Sequence, residues 1–335
     1  MDKQELKKIF DSFTSRKILV IGDVMVDSYL WGKVERISPE APVPIISCQR
    51  KEIRLGGAAN VALNLQSLGA IPVLCGVIGN NDSGTLFLKL MQDSHLENHG
   101  IYIVKDRPTT VKTRIIGGDQ QLIRVDEETD KTLSCEEETA FIEHILKRFK
   151  KYSFDAVIFQ DYDKGAITPE IIKQIISIAG SRKIPVLVDP KRRNFSNYSN
   201  ATLFKPNFKE FCEGLKTDLQ KSNVQGIFEA GKTFQEKNNI HYLMITLSEK
   251  GIFISNGKQF SYLPAHVRDI ADVSGAGDTV IGVASLCLAN GMSQAEIAAI
   301  SNLAGGLVCE KVGVAPIDKK RLEEEAMLLD FGGLN

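Results

Sequence analysis

Apolar residues follow two alternating rhythms along the chain. Short apolar runs of strand length occur at 17–27 (KILVIGDVMVD), 71–79 (IPVLCGVIG), 155–160 (DAVIFQ), 185–190 (PVLVDP), 202–206 (TLFKP) and 241–246 (HYLMIT). Runs of this kind predict strands covered on both faces. Between them, apolar positions repeat at helical spacing. GAANVALNLQSLG at 57–69 puts Val61, Leu65 and Leu68 on one face and stops at Gly69, which predicts a helix. DSGTLFLKLMQDS at 82–94 predicts another, with Asp82 or Ser83 as its cap. Further helices are expected at 138–152, near 169–180, in a region reaching about 239, and near 276–290 and 293–311, with short strands near 251–263. Strands and helices in alternation predict an α/β fold with a mostly parallel central sheet flanked by helices.

Two stretches break this rhythm. Residues 28–55 are extended, and Pro39, Pro42 and Pro44 exclude a long helix there. Residues 101–126 alternate like strands, as IYIV, VKTRIIGG and QQLIRVD. Both read as excursions from the main sheet. Segments 28–55 and 106–126 are expected to form a small β-sheet that covers a cleft as a lid. With no Gly/Ser linker, low-complexity tract or repeat, residues 1–335 read as one domain carrying that lid.

Composition narrows the classes. Lys plus Arg number 41 and Asp plus Glu 42, so no basic excess points to nucleic acid. No apolar run is long enough to cross a membrane, and the opening MDKQELKKIFDSF is charged and amphipathic, unlike a signal peptide. A cytoplasmic location is expected. The six cysteines lie far apart without a C-x-x-C pair, which excludes a disulfide scaffold or a zinc ribbon and reads as reduced thiols. Sequons at Asn194, Asn197 and Asn200 read as chance matches in a polar loop.

Several segments carry candidate chemistry. Residues 226–233 (GIFEAGKT) match the phosphate-binding P-loop pattern, yet Val224, Ile227, Phe228 and Phe234 have helical apolar spacing and no strand precedes them. The match reads as part of an amphipathic helix, because a P-loop needs its amides free between strand and helix. Residues 272–279 (DVSGAGDT) differ: glycines open a long apolar helix, leaving N–H groups and the positive end of its dipole for an anion. Asp278 in the first turn is expected to be ionised and able to take the proton of an attacking hydroxyl. An ordinary first-turn acid would look the same. Val280 stands where a dinucleotide fingerprint needs its third glycine. Gly56, Gly57 and Asn60 suit close approach and hydroxyl binding at another helix start, and Asp27 ends the first strand where open α/β sheets bind ligands.

In this order, these elements resemble the ribokinase-like (PfkB) family of carbohydrate kinases over nearly the whole chain. The resemblance implies Asp278 as general base and Gly275, Ala276 and Gly277 as the anion hole for the transferred phosphoryl group. It places the sugar on Asp27, Gly56, Gly57 and Asn60. Asn207, Phe208, Lys209 and Glu210 match an N-x-x-E motif, which implies nucleotide phosphates and a magnesium ion held by Glu210 through water. Thr246, Ser248 and Gly251 match a nucleotide segment in which Ser248 replaces the first glycine, and Asn302 joins them. Asp272 and Ser274 fall at a candidate monovalent-cation site, with potassium as the expected ion. The cofactors implied are ATP and Mg2+.

Finer stretches are similar to D-glycero-D-manno-heptose-7-phosphate kinases: 22–45, 120–128, 160–168 and 188–195. That likeness implies phosphorylation of the anomeric hydroxyl of the heptose phosphate, for lipopolysaccharide or surface glycan. A sugar phosphate requires cations, and Lys112, Arg114, Arg124, Lys164 and Lys191 are the candidates, with Asp189 beside them; solvated strand faces would also carry such residues. In many relatives a nucleotidylyltransferase domain follows; the 335 residues here lead to the expectation of the kinase alone. Trp31 in the lid is expected to pack against a partner in a homodimer. A kinase for another sugar, and a non-catalytic sugar or nucleotide sensor, stay open as alternatives.

Overall fold

The computed structural model describes residues 2–118 and 120–331. The strands are β1 (Lys17–Gly22), β2 (Val24–Ile37), β3 (Pro44–Gly57), β4 (Ile71–Gly79), β5 (Ile101–Val104), β6 (Thr110–Gly117), β7 (Gln120–Glu127), β8 (Ala156–Gln160), β9 (Val186–Asp189), β10 (Leu203–Phe204), β11 (Tyr242–Thr246), β12 (Ile252–Ser255) and β13 (Phe260–Leu263). The helices are α1 (Lys3–Ser12), α2 (Ala58–Ser67), α3 (Asp82–Asp93), α4 (Cys135–Lys151), α5 (Pro169–Ser181), α6 (Phe208–Leu215), α7 (Val224–Asn238), α8 (Ala276–Ala289), α9 (Gln294–Val308) and α10 (Lys319–Ala326).

Nine strands form the large sheet in the order β13-β12-β11-β10-β9-β8-β1-β4-β5. It is parallel from β11 to β5, and β12 and β13 run antiparallel at one edge. Side chains alternate across it, as the pleat requires. In β1, Ile18 and Val20 enter one core, with α1, α2, α8 and α9. Leu19 and Ile21 enter the other, with α4, α5 and α7. The α/β architecture expected from the apolar runs, a mostly parallel sheet flanked by helices, is the one observed.

A smaller, mostly antiparallel sheet has the order β3-β2-β6-β7. The run 17–27 is not one strand. It breaks at Asp23, whose N–H donates to Gln160 O at 3.1 Å, and continues as β2 into the small sheet. The IYIV stretch, grouped with the excursion at 101–126, instead adds β5 to the large sheet beside β4. The cap of α3 is Asn81, one residue earlier than expected: its side chain accepts the Gly84 N–H at 2.8 Å. No sequence signal singled out α10. The P-loop match lies within α7, where a Cβ on Gly231 would sit 2.6 Å from Leu243 Cδ2; it is a packed helix and not a phosphate loop. Asn194 is buried and donates to Asp161 and Ile167 O, so it offers no acceptor to a glycosyl group.

Candidate active site

The carboxyl ends of β8, β9, β10 and β11 converge on the amino end of α8, the arrangement by which open α/β sheets form ligand clefts. Helix α8 is apolar nearly all round and buried over Asp278–Cys287, so packing fixes its position. Its cap, Gly275, has φ 81°, and a Cβ there would lie 2.9 Å from Asn60 Nδ2. Both facts require glycine. The backbone N–H groups of Gly275, Gly277 and Asp278 have no hydrogen-bond partner among the described residues. That of Ala276 turns back to Val273 O at 3.3 Å, so Ala276 contributes less to an anion hole than expected.

Asp278 is buried within this turn, at 4% exposure. Three donors reach its carboxylate. Asn60 Nδ2 meets Oδ2 at 2.7 Å, while Tyr162 O–H and Gln160 Nε2 meet Oδ1 at 2.7 and 3.1 Å. Burial nevertheless outweighs the Asn60 and Tyr162 donors and pushes the carboxyl up to about 7. A plainly ionised first-turn acid was expected; the correction follows from its complete desolvation.

A buried pair adjoins this group. Lys205 Nζ lies 3.0 Å from Asp189 Oδ2, and Gln160 Nε2 donates to the same oxygen at 3.1 Å. A Cβ on Gly277 would be 3.7 Å from both Lys205 Nζ and Asp189 Oδ2, so the pair lies directly against the glycine turn. Lys205, Gln160 and Tyr162 were not singled out in the sequence. Each follows or ends an apolar strand run, which is the signal that points to them.

On the side of the small sheet, Asp27 is buried and paired with Arg114. A Cβ on Gly56 would stand 2.0 Å from Asp27 Oδ2, so only glycine admits this carboxylate. Gly57 precedes α2, which carries Asn60 toward Asp278. Lys112 Nζ meets Glu128 at 2.8 Å and Asp126 at 3.0 Å, and Lys164 Nζ meets the other Glu128 oxygen at 2.7 Å. The two lysines therefore share one carboxylate. Lys191 pairs with Glu210 and lies 5.5 Å from the Tyr162 ring centroid. Arg124 instead stands on the exposed strand β7, bonded to Asp126.

A cavity of about 460 Å³ opens on the other side of the α8 turn. Thr246, Ser248, Gly251 and Asn302 line it together with Ala276 and Gly277. Ser248 takes the left-handed conformation, φ 56°, that a glycine would adopt freely. Asn302 lines the wall and donates to Pro264 O at 2.8 Å. His266, Arg268 and Cys309, not expected from the sequence, complete that wall. Asn207 caps α6 and bridges to Thr246, with Glu210 closing a capping box. Phe208 packs against a core instead of lining the cavity, and Lys209 is exposed beside Glu213. Asp272 accepts the N–H groups of Ser274 and Gly313, each at 2.9 Å, and so ties two loops together.

The profile of the pfkB family carbohydrate kinases matches residues 15–320. The chain belongs to this family. It is 37% identical over 318 residues to the bifunctional protein HldE of Pelobacter propionicus, covering 95% of this chain and 64% of that protein. It is 40% identical over 317 residues to the bifunctional protein HldE of Sulfurimonas denitrificans, covering 95% and 65%. The chain thus spans about two thirds of the length of these relatives. Among solved structures, phosphofructokinase-2 from Escherichia coli in complex with substrates and products matches with a TM-score of 0.76, 19% identity, and 94% and 99% of the two chains. Ribokinase from Arabidopsis thaliana complexed with ribose and ATP matches at 0.71, 16% identity, 94% and 99%. The pfkB fold is therefore shared, and the chain is a carbohydrate kinase. No helix among the described residues is long and apolar enough to cross a membrane.

Because burial raises Asp278, the folded state holds its proton more tightly than the unfolded chain does. Its contribution to stability is therefore complete below about pH 4 and is lost as pH rises toward 7. In urea unfolding from pH 4 to 8, the stability of the native protein relative to Asp278→Asn should fall across that window, by on the order of 1–4 kcal/mol. A difference that does not change with pH would contradict the burial account.

Proposed function

We propose that this kinase transfers the γ-phosphoryl group of ATP to the anomeric hydroxyl of D-glycero-D-manno-heptose 7-phosphate. The product is the 1,7-bisphosphate, serving nucleotide-activated heptose for lipopolysaccharide or surface glycan in the cytoplasm. The observation that carries the reading is the buried Asp278 carboxylate at the amino end of α8, beside N–H groups with no partner among the described residues and next to Gly277, which lines a cavity of about 460 Å³. A carboxyl poised near neutrality can accept the hydroxyl proton and release it afterwards. The sugar oxygen bonds to the γ-phosphorus as the bridging bond to ADP breaks, and the α8 N–H groups stabilise charge on the transferring group.

Asp27, Gly56, Gly57 and Asn60 hold the sugar, and Lys112 and Lys164 supply cations for its phosphate. Their shared partner Glu128 is an anion that a phosphate replaces. The likeness of segments 120–128, 160–168 and 188–195 to heptose-phosphate kinases favours this substrate over an uncharged sugar. The small sheet acts as a lid that excludes water from the γ-phosphate.

The residues present fit a hydrated magnesium ion. Among the described residues no group of three or more His, Cys, Asp or Glu could hold a metal, and such an ion keeps its waters and rests on one carboxylate and the substrate phosphates. Glu210 is that carboxylate. Bound there, magnesium would neutralise phosphate charge. Asp272 and Ser274 would hold a monovalent cation; a phosphofructokinase-2 structure in complex with potassium shares the fold at a TM-score of 0.74.

The lid pairs with that of a second copy. Ile37, Val34, Ile123 and Val125 expose apolar surface on the small sheet, and Trp31 Nε1 is buried there without a hydrogen-bond partner among the described residues.

Coupled ADP release should be selective for D-glycero-D-manno-heptose 7-phosphate over sedoheptulose 7-phosphate, fructose 6-phosphate, ribose and adenosine. Preference for another member would move the substrate within the family; binding of sugar or nucleotide without turnover on any member would favour a sensor. Sedimentation should give a dimer, and Ile123→Asp a monomer; a native monomer would refute pairing through the lid.

A further inference from the structure

Tyr162 has no role in the reading above, yet its phenol makes one of the two shortest contacts to the Asp278 carboxylate. The O–H donates to Oδ1 at 2.7 Å, and Gln160 Nε2 donates to the same oxygen at 3.1 Å. Among the described residues, Oδ2 receives Asn60 Nδ2 alone. A carboxylate oxygen accepts about two hydrogen bonds. Oδ1 is therefore saturated, and Oδ2 keeps one open acceptor site.

The segment carrying Tyr162 is fixed from beneath. The N–H groups of Tyr162 and Lys164 donate to Asp23 Oδ2 at 2.8 and 3.2 Å, and that of Ala166 donates to Oδ1 at 3.1 Å. Asp23 is buried at the point where β1 gives way to β2. Asp161, next in the turn, is held by Asn194 Nδ2 at 3.0 Å and Tyr198 O–H at 2.8 Å. One turn thus hangs on two buried carboxylates and aims a single phenol at the base.

We propose that Tyr162 is a positioning residue for phosphoryl transfer, its phenol occupying Oδ1 of Asp278 so that Oδ2 is the atom that takes the sugar proton. The inference rests on the kinase reading with Asp278 as base. In the step, the proton passes from the anomeric hydroxyl to Oδ2, the oxygen bonds to the γ-phosphorus, and ADP departs with the electron pair of the broken bridge. Tyr162 keeps its own proton: burial and the Asp278 charge push the phenol well above its ordinary value. The charged and titratable groups around the carboxylate are Asp189 at the end of β9, Lys205 after β10, Lys191, and Tyr162 itself, and Asn60 and Gln160 are its neutral donors.

The test is Tyr162→Phe, which keeps the ring under Lys191 and removes the donor. Losing a donor to the charged form raises the carboxyl, so the acid limb of kcat should move up by about one pH unit, a tenfold loss of the ionised form below it. The KM for ATP should be unchanged. The Asp278 carboxyl midpoint, followed by carbon-13 resonance and assigned with Asp278→Asn, should move up equally. Should the phenylalanine variant fail to fold, 3-fluorotyrosine placed at position 162 strengthens the donor in the same shape and should move the midpoint down. An unmoved limb and midpoint in a folded variant, with normal native turnover, would overturn the role of Tyr162 alone. Absence of native turnover on every sugar would overturn the kinase reading beneath it.

Discussion

A single buried carboxylate sets the terms for the surrounding structure. Asp278 loses its water at the amino end of α8, and an unsolvated charge there would be prohibitive without compensation. Compensation comes from three side-chain donors on three separate elements: Asn60 on α2, Gln160 ending β8 and Tyr162 in the turn beyond it. Even so, the group remains near neutrality. A base that is strongly solvated would be too weak to take a hydroxyl proton, and one fully protonated at neutral pH could not act. Burial partly offset by hydrogen bonds places the group between those limits.

The same requirement organises the sheet. Gln160 Nε2 bridges Asp278 to Asp189, and Asp189 holds Lys205, so the ends of β8, β9 and β10 are tied to α8 in one polar network inside an apolar frame. One acceptor in it is left open: Gln160 Oε1 is buried with no hydrogen-bond partner among the described residues. Asp23 performs a parallel task at β1. Its carboxylate collects three N–H groups from the turn after β8 just where the chain leaves the large sheet for the small one. The site and the small sheet thus share a root.

Much of the fold was legible in the sequence because buried parallel strands are continuous apolar runs and their helices have a clear face. The break at Asp23 was not. GDVMVD carries no proline, and an extended chain that changes sheets looks like one that continues. Strand β5 misled for a related reason: IYIV alternates as an edge strand does in either sheet. At the site, Asp278, Gly275, Asp27 and Gly56 were legible because glycines and a carboxylate at element ends have few other uses. Gln160 and Tyr162 lie 118 and 116 residues from Asp278 in sequence, Lys205 is also distant, and only the convergence of strand ends brings them together. The ionisation of Asp278 was misjudged because burial depends on how α8 packs, which an octapeptide does not express.

The central claim is that Asp278 is the base and that the rest of the site binds without it. The most direct measurement is kcat of Asp278→Asn on the preferred sugar phosphate, with ATP affinity measured on the same sample by calorimetry. The account predicts intact ATP binding and turnover reduced on the order of 10²–10⁴-fold, the share expected of a lost general base. Turnover within a few-fold of the native protein, with ATP binding intact, would contradict it.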